Sequence, residues 1–232
     1  MHTIKEKGRK RNKTSDNIVR KSRVQWLVAY LVGLPISLLY RVKYEGLENI
    51  PSEPFFVIAN HRSMLDLICF QYKMPHWVHW LAKKSLFTIP IIGWFVRKLG
   101  AIPLNRDHKD FQAVRSVLRL ARKGRSIGIF PQGTRVAEED INKIIPSGNA
   151  ANLAFRSGLQ ILPVAFAYKW SLFKRQRIIF GKPFNISAPE NKATQKEEYS
   201  RIMLRIMRDI FALADIDWQP ELIVNNNSEE NG

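Results

Sequence analysis

A chain of 232 residues that is 45% apolar is long enough for one domain that buries roughly two-thirds of its unfolded surface, with short segments left at the ends. Its 37 Lys and Arg against 20 Asp and Glu give a net charge of +17, which calls for an anionic partner: nucleic acid, a phosphate-bearing substrate or the anionic face of a membrane. The single cysteine, Cys69, excludes an intramolecular disulfide framework, and its place in an apolar run reads as a small buried residue.

Residues 1–23 carry nine Lys and Arg against Glu6 and Asp16 and have no aromatic residue, the composition of a solvated basic arm. Residues 24–40, VQWLVAYLVGLPISLLY, contain no charge. Fully helical, they would span about 26 Å, short of the roughly 30 Å hydrocarbon core, and Gly33 with Pro35 predicts a break midway. The run is too long for a signal-peptide core, and no small-x-small cleavage pattern follows it. Basic residues before it and Arg41 and Lys43 after it favour a monotopic membrane anchor with both ends on the cytoplasmic face. A buried globular helix is the competing reading.

From residue 41 strands and helices alternate. Apolar runs at 55–59, 77–82, 100–104, 126–130, 161–166 and 176–180 read as strands, and helical periodicity marks 64–74, 109–123, 147–158 and 195–214. The pattern predicts one α/β domain over 41–218, with a mixed, largely parallel sheet flanked by helices, followed by a disordered tail at 219–232. In HWVHW, residues 76–80, two His lie three apart, but no third ligand stands at a usual spacing and no metal is expected. The apolar stretch LFTIPIIGWFVRKL, residues 86–99, suits an acyl-binding cleft, a dip into the membrane interface, or ordinary core.

The chemistry concentrates at strand ends. Asn60 and His61 leave the run Phe55–Ala59, and Ser63 with Asp66 has the form of a capping box ahead of Leu67 and Ile68. His61 and Asp66 thus share one tight turn, where a carboxylate can hold an imidazole in the tautomer that takes a proton from a hydroxyl. Asp66 as a capping residue alone is the plainer alternative. Arg106 follows the run 100–104, and Arg135 ends the turn Pro131-Gln132-Gly133-Thr134-Arg135. An Arg beside a Gly that admits close backbone approach can hold a phosphate, although a surface Arg is the ordinary case.

NHRSMLD (60–66), GAIPLNR (100–106), FPQGTR (130–135) and ILPVAF (161–166) stand in the order and spacing of the four blocks of the glycerolipid acyltransferases. The chain resembles the lysophosphatidate (1-acyl-sn-glycerol-3-phosphate) acyltransferase branch over about residues 40–185. The resemblance implies transfer of a fatty acyl group from acyl-CoA or acyl-carrier protein to the sn-2 hydroxyl of lysophosphatidate, giving phosphatidate. It makes His61 the general base and Asp66 its orienting partner. Arg106, Gly133, Thr134 and Arg135 become the phosphate site, Gln132 the glycerol contact, and Pro163 part of the acyl site. The partners implied are an anionic phospholipid membrane, lysophosphatidate and the acyl thioester, with no metal, redox cofactor or specific nucleic acid.

Three positions depart from the family pattern: Gln132 replaces a Glu, Asn105 replaces an Asp, and Ile145-Pro146-Ser147-Gly148 replaces a Phe-Lys-x-Gly-like stretch. Gln132 leaves open a related acyltransferase that uses another lysophospholipid or glycerol 3-phosphate. Ser63 has no Gly-x-Ser-x-Gly elbow around it, which argues against a serine hydrolase. A non-enzymatic basic membrane or nucleic-acid-binding protein is the alternative from another class. The aromatic-free basic arm disfavours its nucleic-acid form.

Overall fold

The computed structural model describes residues 22–105, 110–167, 170–171, 175–189 and 193–220. Residues 1–21 of the basic arm, Arg106 and residues 221–232 of the expected tail lie outside the described residues. Seven strands form one sheet in the order β1-β7-β6-β2-β5-β3-β4. β2 (Phe55–Ala59), β3 (Val78–Lys83), β4 (Ile102–Leu104), β5 (Ser126–Ile129) and β6 (Gln160–Phe166) run parallel. β7 (Arg177–Phe180) is antiparallel to β6, and β1 (Lys43–Glu45) pairs parallel to β7. The expected mixed, largely parallel sheet is therefore present.

Strand alternation divides the core into two layers. Phe56, Ile58, Ile127, Ile129 and Ile161 point to one face, where they meet Val117 of α5 (Phe111–Arg122), Ala150 and Ala154 of α6 (Asn149–Ser157), and Met203, Met207 and Ile210 of α7 (Gln195–Leu213). Phe55, Val57, Ala59, Leu162 and Val164 point the other way, onto Cys69 and Phe70 of α3 (Met64–Lys73). β2 is buried throughout because both faces are covered, which is why it reads as a continuous apolar run. Burial pushes the Cys69 thiol up to about 11, so it is no nucleophile near neutral pH.

The N-terminal helix is continuous where a break was expected. α1 (Arg23–Leu27) passes into a π-helical stretch, Val28–Gly33, and on into α2 (Leu34–Leu39). Pro35 has no N–H to give and its ring crowds the preceding turn; the wider π stretch just ahead of it takes up the misfit without ending the helix. Ala29, Gly33 and Ser37, four apart, form its buried stripe. Gly33 lies so close to α3 that a Cβ there would stand 2.8 Å from the Cβ of Tyr72. Trp26, Leu27, Leu31, Leu38 and Leu39 are exposed on the outer side. Among the described residues no helix is long and apolar enough to cross a membrane.

Candidate active site

Parallel pairing brings the chemically loaded turns to one sheet edge. Ile58 of β2 stands beside Ile129 of β5, so the His61 turn and the turn beginning at Phe130 emerge next to each other. β6 flanks β2 on its other side, and Asn60 joins them: its Nδ2 donates to Phe166 O at 3.0 Å and its Oδ1 accepts from Phe166 N–H at 2.8 Å. β4 ends at the same edge, two strands from β5 or about 10 Å. Arg106 would follow it but lies outside the described residues.

His61 Nδ1 and Asp66 Oδ2 are 2.9 Å apart. That same Oδ2 accepts the N–H groups of Arg62 and Ser63, each at 2.7 Å, and Oδ1 accepts the Trp170 indole N–H at 2.6 Å. Ser63 Oγ in turn accepts from Leu65 N–H at 3.2 Å, so the helix cap and the dyad are one structure. Asp66 is fully buried, and burial without such partners would be costly. A carboxylate can only accept, so the imidazole Nδ1 carries the proton and Nε2 is left with its lone pair and no partner among the described residues.

The imidazole cannot turn freely. It stacks on Phe130 at 3.9 Å between centroids with an 8° interplanar angle, and Phe130 stacks on Trp80 at 4.5 Å. The ring keeps 12% of its surface exposed, enough for a reactant to reach it. Trp170, which holds Asp66, packs edge-on against Tyr40 at the end of α2, 5.2 Å between centroids. Neither Trp170 nor the stacking role of Phe130 is signalled by the sequence. Trp170 follows β6 with no motif around it.

The other expected residues divide in position. Gly133, with φ +71°, closes a turn whose N–H donates to Phe130 O at 3.0 Å and directs the chain outward. Thr134 and Arg135 are exposed beyond it, and Val136 N–H returns to His61 O at 2.9 Å. Gln132 is buried beneath the site; its Oε1 accepts from His61 N–H at 3.4 Å, while Nε2 has no partner among the described residues. Arg62 resembles it: its side chain is 3% exposed, Nη2 reaches Glu138 at 3.4 Å, and Nη1 is unpartnered among the described residues. Two buried donors therefore flank His61.

Pro163 lies within the sheet, opposite Ile58 and one register step short of the edge. The ladder from β6 to β7 ends at Val164 and Phe180 and resumes only as a bridge between Ile161 and Phe184. Pro163, with no N–H, sits in this gap, and its carbonyl accepts from Gly181 at 2.9 Å. The two His of HWVHW serve the fold. His76 Nε2 is 2.6 Å from Ser126 Oγ, and His79 Nδ1 is 2.8 Å from Gly100 O. No group of three potential metal ligands occurs among the described residues.

Comparison with known proteins gives concordant matches. A family model described as Acyltransferase matches residues 41–167. The 1-acyl-sn-glycerol-3-phosphate acyltransferase of Bacillus subtilis (strain 168) is 32% identical over 158 residues, which cover 65% of this chain and 77% of that protein. The protein of the same name from Streptococcus pneumoniae (strain ATCC BAA-255 / R6) is 30% identical over 171 residues, covering 68% of this chain and 62% of the relative, less than two thirds of its length. Among solved structures, the 1-acyl-sn-glycerophosphate (LPA) acyltransferase from Thermotoga maritima shares the fold, with a TM-score of 0.55 at 19% identity and 84% of each chain covered.

Proposed function

Because the chain belongs to the acyltransferase family, we propose that it transfers a fatty acyl group from acyl-CoA or acyl-carrier protein to the sn-2 hydroxyl of 1-acyl-sn-glycerol-3-phosphate, giving phosphatidate. The observation that carries this reading is the His61–Asp66 pair, fixed through Nδ1 at 2.9 Å with Nε2 left as a proton acceptor at an accessible sheet edge. Nε2 takes the hydroxyl proton as the alcohol oxygen attacks the thioester carbonyl. The tetrahedral intermediate collapses, the thiolate leaves, and the imidazolium returns the proton to it. Asp66 orients the ring and stabilises its charged form. Attack is direct, and no covalent acyl-enzyme, metal or redox group takes part.

Arg135 and Arg106 supply the phosphate site with Gly133 and Thr134, since guanidinium groups match phosphate oxygens in charge and geometry. Gln132 contacts the glycerol through Nε2, whose N–H groups have no partner among the described residues, while His61 N–H holds its Oε1. Pro163 borders the acyl site through the backbone of β6. Residues 24–40 are the anchor, lying in one leaflet on the cytoplasmic face, and 41–218 form the catalytic body. The exposed apolar side of the N-terminal helix and the net charge of +17 support attachment to an anionic membrane.

The test is an acceptor panel: purified full chain in vesicles with a labelled acyl thioester and lysophosphatidate, lysophosphatidylcholine, lysophosphatidylethanolamine or glycerol 3-phosphate. Lysophosphatidate is expected to react at least about 10-fold faster in kcat/KM than each rival, the discrimination that a dedicated polar site achieves. Preference for a rival would reassign the acceptor and place the cause at Gln132. No transfer to any acceptor by folded protein would remove the reading.

A further inference from the structure

The crossover from β3 to β4 runs through a 3-10 turn, Lys84–Phe87, and α4 (Pro90–Lys98). A crossover helix in a parallel sheet ordinarily buries an apolar stripe on that sheet. α4 buries only Gly93, which sits against the Phe87 carbonyl of its own preceding turn. Ile91 is 83% exposed and Trp94 56%, with Ile89, Ile92 and Phe95 exposed beside them. So many large apolar side chains on one projecting helix mark a contact surface. Lys83 and Lys84 before the helix and Arg97 and Lys98 in its last turn are exposed around that patch.

We propose that α4 is a second lipid-inserting element, placing Ile91, Ile92, Trp94 and Phe95 in the same leaflet as the N-terminal helix while Lys83, Lys84, Arg97 and Lys98 meet anionic headgroups. The proposal rests on the membrane attachment put forward above. Two observations select lipid as the occupant. The N-terminal helix adjoins α4, since Gln25 Nε2 donates to Leu99 O at 3.3 Å just past the end of α4, and both carry exposed large apolar side chains. A second copy seated on the same patch would bring the four basic residues of each copy together, whereas an anionic bilayer neutralises them. Because β3 ends at the sheet edge from which His61 emerges, insertion of α4 brings that edge to the bilayer, where a lipid acceptor resides.

The experiment attaches an environment-sensitive fluorophore to Ile91→Cys or to Leu38→Cys in the full chain. Cys69 is fully buried, and its lack of labelling is verified on the unsubstituted protein. With vesicles of phosphatidylcholine and phosphatidylglycerol, both labels are expected to shift to the blue. The double variant Ile91→Ser/Trp94→Ser, with its fold checked by circular dichroism, should lose about 10-fold or more in vesicle affinity, as expected from removing two buried apolar side chains. A label at 38 that enters the bilayer while the label at 91 stays in water would overturn the role of α4 and leave membrane attachment intact. Failure of both labels to enter would remove both. A blue-shifted label at 91 without vesicles would show that protein, not lipid, covers α4, and would equally overturn the proposal.

Discussion

Four donors converge on the buried Asp66 carboxylate, two from its own turn, one from His61 and one from Trp170, which is 104 positions away in sequence. The indole bond matters because the first three all fall on Oδ2, so Trp170 alone among these groups satisfies Oδ1. Trp170→Phe keeps the packing against Tyr40 but leaves a buried acceptor unpaired, at a cost of about 1–3 kcal/mol. The carboxylate can then turn away from His61. We expect kcat to fall about 10-fold with KM nearly unchanged, a loss of orientation rather than of binding. An unchanged kcat would remove Trp170 from the positioning of the dyad. At this scale the sequence was readable where a function fits within one turn. His61 and Asp66 are five residues apart and the cap that joins them is local, whereas Trp170 and the Phe130–Trp80 stack reach the site only through the sheet.

Among the elements, the joint between the N-terminal helix and α3 depends on close approach. Ala29, Gly33 and Ser37 let the two helices meet with almost no side-chain spacer, and at the far end Tyr44 of β1 bridges them, its OH 2.7 Å from Ser37 Oγ and donating to Cys69 O of α3 at 3.1 Å. Gly33→Leu would drive a side chain into Tyr72 and Ile68, and overpacking of this kind costs about 1–3 kcal/mol. The expected result is faster hydrogen exchange confined to residues 23–39 while the sheet stays protected. Unchanged exchange there would show that the joint is not held by this contact. The sequence marked this segment as helical and apolar but predicted a break at Gly33 and Pro35. Propensity alone does not include the π-helical accommodation. The run at 55–59 matched β2 to the residue because a central strand is apolar at every position. β1 carries no comparable signal, because three residues on the sheet margin, one of them Lys43, hold too little pattern.

For the whole molecule, alternating strand and helix signals were enough to give a largely parallel α/β sheet. They could not give the order β1-β7-β6-β2-β5-β3-β4, since neighbours such as β2 and β6 are separated in sequence by three other strands. That order is what sets the His61 turn beside the Phe130–Arg135 turn and turns two separated motifs into one site. The excess of positive charge, unresolved in the sequence between nucleic acid, phosphate and membrane, includes exposed Arg23 and Arg41 at the ends of the N-terminal helix and Lys83, Lys84, Arg97 and Lys98 beside α4, the arrangement on which the proposed membrane attachment rests. The proposed reaction depends above all on His61 as the general base of acyl transfer. Its most direct test compares wild type and His61→Ala, both shown to be folded and vesicle-bound, in turnover of lysophosphatidate with a saturating acyl thioester. Loss of the base is expected to lower kcat about 10²-fold or more with little change in KM. A variant that keeps the wild-type kcat would contradict it.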